Sequence, residues 1–573
     1  MRYHVLACDY DGTLALNGAV DDKTLAALER LRQSGRKLVL VTGRELDDLF
    51  RVFPHTEMFD RIVAENGALL YRPSSREEVV LGEPPNDEFI RMLREREIRP
   101  LSVGRVIVAT WEPHETAVLE SIRNLGLELQ VIFNKGAVMV LPSGINKATG
   151  LAAALTELGL SAHNAVGVGD AENDHAFLSL CECSVAVANA LPLLKDRADI
   201  VTKLDHGAGV AELIDDMVAT DLEGFAPRLR RHNVPIGTTK GGQEMAFEPY
   251  GESIIVTGTS GGGKSTLVTG LLERIGEQGY QYCIIDPEGD YENFESAVVM
   301  GDARRAPGVD EVMDLLGKPD QNAVVNLLGV RLEDRPHFFE GFLPRLQELR
   351  ARTGRPHWIV VDEAHHMMPT SWNSVPLTLP KEFHGMILIT VHPDHVSPVV
   401  LSAVNTIVAI GESPDERIRS VVETLGETVP HIPSVKLETG EGVLWMRSTE
   451  GDPVVFRSIP PKSERRRHQR KYAEGELGED RSFYFQGPEG KLNIRAQNLG
   501  FFIQIAAGVD DETWLYHLRR GDYSRWFREA IKDEELATEA KMIEMIEKAR
   551  PIPASESRAL IEEAINKRYT APA

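Results

Sequence analysis

The apolar run Ile254-Ile255-Val256 leads into Gly258-Thr259-Ser260-Gly261-Gly262-Gly263-Lys264-Ser265-Thr266, and an amphipathic stretch begins at Leu267. Few folds accept that order. A buried strand, a glycine-rich turn and a helix N-terminus in succession make a cradle for phosphate, because glycine lets backbone N–H groups approach the anion and the helix dipole favours it. In this pattern Lys264 contacts the outer phosphates of a nucleotide such as ATP and Ser265 a magnesium ion; a flexible glycine linker would not be flanked by a strand and a helix. The chain must therefore contain a parallel sheet covered by helices.

A second apolar run, Trp358-Ile359-Val360-Val361, ends in Asp362-Glu363. Asp362 suits the magnesium shell and Glu363 the polarisation of an attacking water. The gap between Lys264 and Asp362 leaves room for intervening strands such as Ala323-Val324-Val325-Asn326-Leu327.

The N-terminal third repeats the theme with different chemistry. Val5-Leu6-Ala7-Cys8 ends in Asp9-Tyr10-Asp11-Gly12-Thr13, so two carboxylates meet at one strand mouth. Phosphoryl transfer needs an ionised nucleophile, a proton donor for the leaving alcohol, and a cation to hold phosphate against a carboxylate. Leu38-Val39-Leu40-Val41 ends in Thr42-Gly43-Arg44, whose hydroxyl and backbone amide suit a phosphate oxygen. Lys147 opens an amphipathic helix after Gly144-Ile145-Asn146 and offers a balancing positive charge. Ala165-Val166-Gly167-Val168 ends in Gly169-Asp170-Ala171-Glu172-Asn173-Asp174, which supplies hard oxygen ligands for magnesium.

Those four sites, in that order over residues 1 to about 215, resemble the haloacid dehalogenase superfamily, in the capped branch that includes sugar-phosphate phosphatases. The resemblance implies a Rossmann-like α/β domain with an α/β cap inserted at about 84–140. It implies that Asp9 forms an aspartyl-phosphate, that Asp11 protonates the leaving group, and that Thr42 and Lys147 hold the phosphate. It further implies magnesium on Asp9, Asp170 and Asp174, with Asp11 counted in the same metal-binding set and Asn173 supporting it. The substrate it implies is a small phosphomonoester.

The glycine-rich loop, Asp362-Glu363-Ala364-His365, Ile284 through Tyr291, and Ile387 through Pro393 resemble the HerA/FtsK ATPases over about 234–450. That resemblance implies a RecA-like core, ATP and magnesium as cofactors, a homo-oligomer such as a hexameric ring, and nucleic acid as partner. Where the group carries Thr-Gln before a proline, this chain has Thr390-Val391-His392, so the glutamine that senses the γ-phosphate is missing and His392 is its candidate substitute. Arg352, Arg355, Arg417 and Arg419 are candidates for an arginine acting on a neighbouring subunit, and each reads first as a solvated surface residue.

A length of 573 residues leaves room for about four domains. The expected division is a phosphatase at 1–220, an ATPase at 221–459, and a basic linker with a mainly helical domain at 460–573. A net charge of −24 excludes a generally basic surface, so any nucleic-acid contact must be local, as at Arg465-Arg466-Arg467, a run that reads first as a solvated linker; the basic cluster of Arg228, Arg230 and Arg231 reads as part of the linker between the two α/β regions. No apolar run is long enough to span a membrane, and Met1 leads into a strand rather than a signal peptide, so a cytoplasmic location is expected. Four dispersed cysteines read as structural thiols, all but Cys183 in apolar surroundings. In the C-terminal region, Asn493–Ala507 and Asp533–Lys548 have helical patterns, and Trp514, Leu518 and Trp526 read as core with His517, Arg519 and Arg520 at the rim.

The leading functional expectation is a bifunctional enzyme: a magnesium-dependent phosphomonoester hydrolase joined to a domain that binds and hydrolyses ATP. A phosphatase–kinase acting on nucleic-acid ends is a second reading, and an ATP-bound scaffold or sensor with slow turnover is a third.

Overall fold

In the computed structural model, residues 1–259, 262–371, 384–432, 435–447, 451–462, 482–531 and 533–569 are described. Ser260, Gly261 and Arg465-Arg466-Arg467 lie outside them, as do the side chains of Arg228 and Arg230. The chain forms two compact units, Met1–Ile459 and Pro460–Ala573.

The first unit contains two large sheets. The N-terminal one has eight described strands, in spatial order Ile200–Val201, Cys183–Ala186, Ala165–Gly169, Val5–Asp9, Lys37–Val41, Arg61–Ala64, Leu69–Arg72 and Glu77–Val80. The strands up to Arg61–Ala64 run parallel, Leu69–Arg72 turns back, and Glu77–Val80 pairs antiparallel with it. Their near-continuous apolar sequence follows from burial on both faces by helices such as Asp22–Gln33, Lys147–Leu158 and His206–Thr220. The adjacent C-terminal ends after Val5–Asp9, Lys37–Val41 and Ala165–Gly169 therefore open on one side, where parallel sheets bind ligands. Over that opening lies a smaller antiparallel sheet of Ser102–Val103, Val108–Trp111, Ala137–Pro142 and Leu129–Asn134, backed by helices Asp87–Glu95 and Glu115–Leu125. Buried Glu65 ties this cap to the core: Oε1 accepts from the N–H of Arg105, and Oε2 from those of Val106 and Ile107.

The second sheet has eleven described strands, with Ser253–Gly258 between Thr406–Ile410 and Met386–Thr390, and Trp358–Val361 one place beyond. The expected intervening strand is present as Ala323–Asn326, and the segment before the glycine-rich loop supplies the edge pair Val234–Thr239 and Glu244–Phe247.

The two sheet systems meet through a buried polar cluster. The carboxylate of Glu182 accepts from Arg2 (2.6 Å), His163 Nδ1 (2.7 Å) and the Tyr280 hydroxyl (2.8 Å). Burial alone would raise Glu182, but the His163 hydrogen bond and the charge of Arg2 overcome it and hold the carboxyl down at about 2. His163 Nε2 lies 2.7 Å from the carbonyl of Gln278, directly after the helix Lys264–Glu277, and its ring stacks on Tyr280. Arg355, read from sequence as a solvated residue, is instead fully buried and donates to the carbonyls of Gly159, Leu316 and Gly317 and to Gln281 Oε1. Carbonyls at helix ends replace the water its guanidinium would otherwise need.

Cys183, expected outside the apolar set, is buried like the other three cysteines because it opens the strand Cys183–Ala186. In the second unit Ile494–Ala496 pairs with Phe483–Phe485 as a hairpin, so the expected helix starts only at Leu499, capped by Asn498. His517 is buried, with Nδ1 2.8 Å from Asp522 and Nε2 accepting from the Gln486 N–H, while Arg519 pairs with Glu547. Among the described residues no helix is long and apolar enough to cross a membrane.

Candidate active sites

Two adjacent strand ends, those of Val5–Asp9 and Ala165–Gly169, bring Asp9, Asp170 and Asp174 together, with one oxygen of each carboxylate within 4.8 Å of the others and all three buried. Lys147 lies in the same pocket, its Nζ 2.5 Å from Asp9 Oδ1 and 2.6 Å from Asp174 Oδ1. It is the first residue of the helix Lys147–Leu158, and Asn146 fixes that start by accepting from the N–H groups of Ala148 and Thr149. The other oxygen of Asp174 accepts from the N–H groups of Asp170 and Ala171, which folds the loop back on its own strand.

These charges shape one another. Burial, and then the charge of Asp174, push the Asp9 carboxyl above the usual carboxylate range against the pull of Lys147. Burial would lower the Lys147 ammonium, but Asp174 and Asp9 outweigh it and hold it raised. Asp170 is also raised, chiefly by burial. Clustered hard oxygens that are reluctant to ionise together are the donor set a divalent cation relieves, so the residues present fit magnesium.

Asp11 is not part of this trio. Both its oxygens accept from Arg44, at 2.7 Å from Nε and Nη2, beside the bay. Thr42 is buried at the end of Lys37–Val41, its hydroxyl accepting from the Arg44 N–H. Asn173 donates to Asn66 Oδ1 at 3.0 Å, and so braces the bay from the turn Glu65-Asn66-Gly67 rather than touching the carboxylates. That turn has three successive positive φ values, of 49°, 55° and 106°. Gly67 cannot be replaced without collision, since a Cβ there would lie 1.9 Å from the Asn146 carbonyl oxygen.

Two cations at the bay had no assigned role in the sequence. Arg44 follows the Thr-Gly pair but holds Asp11. Lys135, at the tip of a cap hairpin, places its Nζ 2.6 Å from Asp170 Oδ2. The sequence signal for Lys135 was only a Lys-Gly pair between two alternating runs.

In the second sheet, Gly263 turns the chain with φ 98° into the helix Lys264–Glu277. Lys264 is buried and donates to the carbonyls of Gly258 (3.2 Å) and Thr259 (3.1 Å), within its own loop. Burial lowers its ammonium. Gly262 N–H closes the turn on Thr259 O, while Ser265 and Thr266 follow Lys264 in the first turn of the helix. Asp362 is buried at the end of Trp358–Val361 and pushed up to about 8 by burial. Glu363 adopts φ 41°, and burial raises it as well. Its Oε2 has no hydrogen-bond partner among the described residues, although His365 Nδ1 lies 3.3 Å away and makes its own bond to Thr390 Oγ1. The strand Met386–Thr390 stands between the loop strand and the Asp362 strand, so Val391 and His392 emerge between the two motifs. His392 is exposed and its ring stacks on His395, while the Val391 carbonyl accepts from Arg417 at 3.1 Å.

Known proteins resemble these regions separately. Residues 6–96 and 105–214 match the family model described as haloacid dehalogenase-like hydrolase, and residues 250–393 match that of an AAA domain. Phosphoglycolate phosphatase 2 of Saccharolobus solfataricus is 31% identical over 225 residues, covering 38% of this chain and 92% of the relative. Phosphoglycolate phosphatase of Methanothermobacter thermautotrophicus is 29% identical over 218 residues, covering 36% and 96%. A solved haloacid dehalogenase-like hydrolase from Bacteroides thetaiotaomicron aligns at 21% identity with a TM-score of 0.34, over 38% of this chain and 99% of that one. Through residues 6–214 the chain belongs to the haloacid dehalogenase-like hydrolases, and it carries an AAA-type P-loop domain behind that region.

Proposed function

We propose that residues 1–220 hydrolyse a small phosphomonoester with Asp9 as nucleophile, and that residues 221–459 bind and turn over ATP. The observation that carries the first half is the convergence of Asp9, Asp170, Asp174 and Lys147 in one buried bay. Magnesium bound by Asp9, Asp170 and Asp174 would neutralise the bay and screen the incoming phosphate. An Asp9 oxygen attacks phosphorus and the ester P–O bond breaks. Asp11, released from Arg44 and protonated, gives its proton to the leaving oxygen. Water then attacks the phosphorus of the aspartyl-phosphate, returning a proton to Asp11 and freeing inorganic phosphate. Thr42 and Lys147 hold the transferring group. The relatives' names make 2-phosphoglycolate the first substrate to try.

The test is phosphate release by the full chain with magnesium across a phosphomonoester panel. Turnover that Asp9→Asn abolishes supports the proposal; no release from any ester, or release that Asp9→Asn leaves intact, refutes it.

For the P-loop half, Lys264 and Ser265 would meet the nucleotide phosphates and magnesium, with Asp362 ordering the metal shell and Glu363 the water. The HerA/FtsK likeness adds a hexameric ring acting on nucleic acid, which size measurement with and without ATP would test. One observation favours the slower sensor reading. Val391, which emerges between the two motifs, has no side-chain group to bond a γ-phosphate. ATP binding with negligible turnover would favour it over a motor.

A further inference from the structure

Lys135 sits where lysine is a poor choice for the backbone. Leu129–Asn134 pairs with Ala137–Pro142, with Asn134 opposite Ala137, so Lys135-Gly136 is the whole connecting loop. Both residues have positive φ, 48° and 86°, the two-residue turn that Asn-Gly fills best. A lysine at the first position costs roughly 1 kcal/mol. Retaining it there points to work done by its side chain.

That side chain reaches out of the cap into the bay. Its Nζ lies 2.6 Å from Asp170 Oδ2 while the side chain stays about half exposed, at 47%. The core accommodates it through Gly12, where a Cβ would lie 2.8 Å from the ammonium and 2.3 Å from Asp170 Oδ2. The ammonium therefore shares the carboxylate that a metal would use. A divalent cation on Asp170 repels a second positive charge on the same carboxylate, and the freed ammonium, held on a short turn over the bay, needs another anion.

We propose that Lys135 determines substrate specificity: released from Asp170 when metal binds, it pairs with a carboxylate carried by the phosphomonoester close to its ester oxygen. The inference rests on the phosphatase reading above. It makes the cap a selector for doubly anionic esters, recognising the tail by charge while the core handles the phosphate. Lys135 is not required for chemistry on an ester with a neutral tail.

The test compares 2-phosphoglycolate with ethyl phosphate, which replaces the carboxylate by a methyl group. Lys135→Asn suits the turn and keeps it folded, and Lys135→Arg keeps the charge. Lys135→Asn should raise KM for 2-phosphoglycolate about tenfold or more with little change in kcat, leave ethyl phosphate unchanged, and be largely rescued by Lys135→Arg. Without substrate, calorimetry should show Lys135→Asn binding magnesium several-fold more tightly, since the competing ammonium is gone. Equal effects on both esters, no effect on either, or unchanged magnesium binding would overturn the inference. If the unaltered protein releases phosphate from no ester of the wider panel, the phosphatase reading itself fails; release from other esters but not from 2-phosphoglycolate, or cleavage of both esters that Lys135→Asn changes alike, sinks only the role of Lys135.

Discussion

In the acidic bay each charged group already faces an opposite one: Lys147 between Asp9 and Asp174, Lys135 on Asp170, Arg44 on Asp11. The glycine-rich loop is arranged differently. Its Lys264 bonds to backbone carbonyls of its own loop, Glu363 leaves an oxygen without a hydrogen bond among the described residues, and Asp362 accepts from the N–H of Glu363. On the function proposed above, the two sites would treat phosphate by different physics. A site that bonds phosphorus to its own aspartate must hold that side chain in place beforehand, whereas a site whose reactants are nucleotide and water can take its missing charges from the ligand.

The sharpest way to break this contrast is to remove one reacting carboxylate from each site. Asp9→Asn should lower phosphomonoester turnover roughly 10³-fold or more while ATP binding and turnover stay within about twofold, and Glu363→Gln should do the reverse. Both activities are measured on the same preparations by phosphate release. If either substitution silences both, the sites work as one machine.

The next largest effect concerns what joins them. Glu182 is completely buried and accepts from Arg2, His163 and Tyr280. Glu182→Gln leaves the Arg2 guanidinium short of an anion and should cost about 3 kcal/mol in chemical unfolding at pH 7. The pH dependence has a definite sign. A carboxyl depressed from 4.5 to about 2 stabilises the fold above its ordinary value, and that stabilisation is lost as pH falls through this window. The gap between the original chain and Glu182→Gln should therefore narrow as pH drops from about 4.5 towards 2. An equal loss at every pH would mean that Glu182 acts by shape rather than charge.

A smaller effect sharpens the reading of the P-loop site. Val391 has its carbonyl on Arg417, and its N–H donates to Glu363. A side chain changed there is thus presented from a fixed backbone. Val391→Gln should raise ATP turnover about tenfold, equivalent to about 1.4 kcal/mol, with little change in ATP affinity. No gain would mean that water activation does not wait on a partner at this position.

The parts legible in the sequence were those whose chemistry is written in a few contiguous residues at a strand end. Asp9, Thr42, Asp170 and Asp362 each follow a short apolar run, and buried parallel strands announce themselves that way. What escaped depends on partners distant along the chain. Lys135 finds Asp170 35 residues away, Tyr280 finds Glu182 98 away, and Arg2 finds Glu182 180 away. Arg355 was misread for the same reason, because arginine is ordinarily exposed and only the folded chain brings carbonyls around it. Ile494–Ala496 fits a helical pattern locally, yet pairing with Phe483–Phe485 takes it as a strand.

The smallest predicted effect tests the contrast at the two helix starts. The helix carrying Lys147 is closed by Asn146, whose side chain accepts two N–H groups while Thr149 returns a bond to the Asn146 N–H. The helix carrying Lys264 begins at Gly263, which brings no side-chain cap to it. Asn146→Ala should cost about 1 kcal/mol of stability and modestly raise KM for a phosphomonoester, because the first turn that positions Lys147 frays. It should leave untouched the rise in melting temperature that ATP and magnesium bring by binding at the glycine-rich loop. If Asn146→Ala diminishes that ATP-dependent rise, the helix starts are coupled through the His163 and Gln278 contact, and the bay and the loop are not independent.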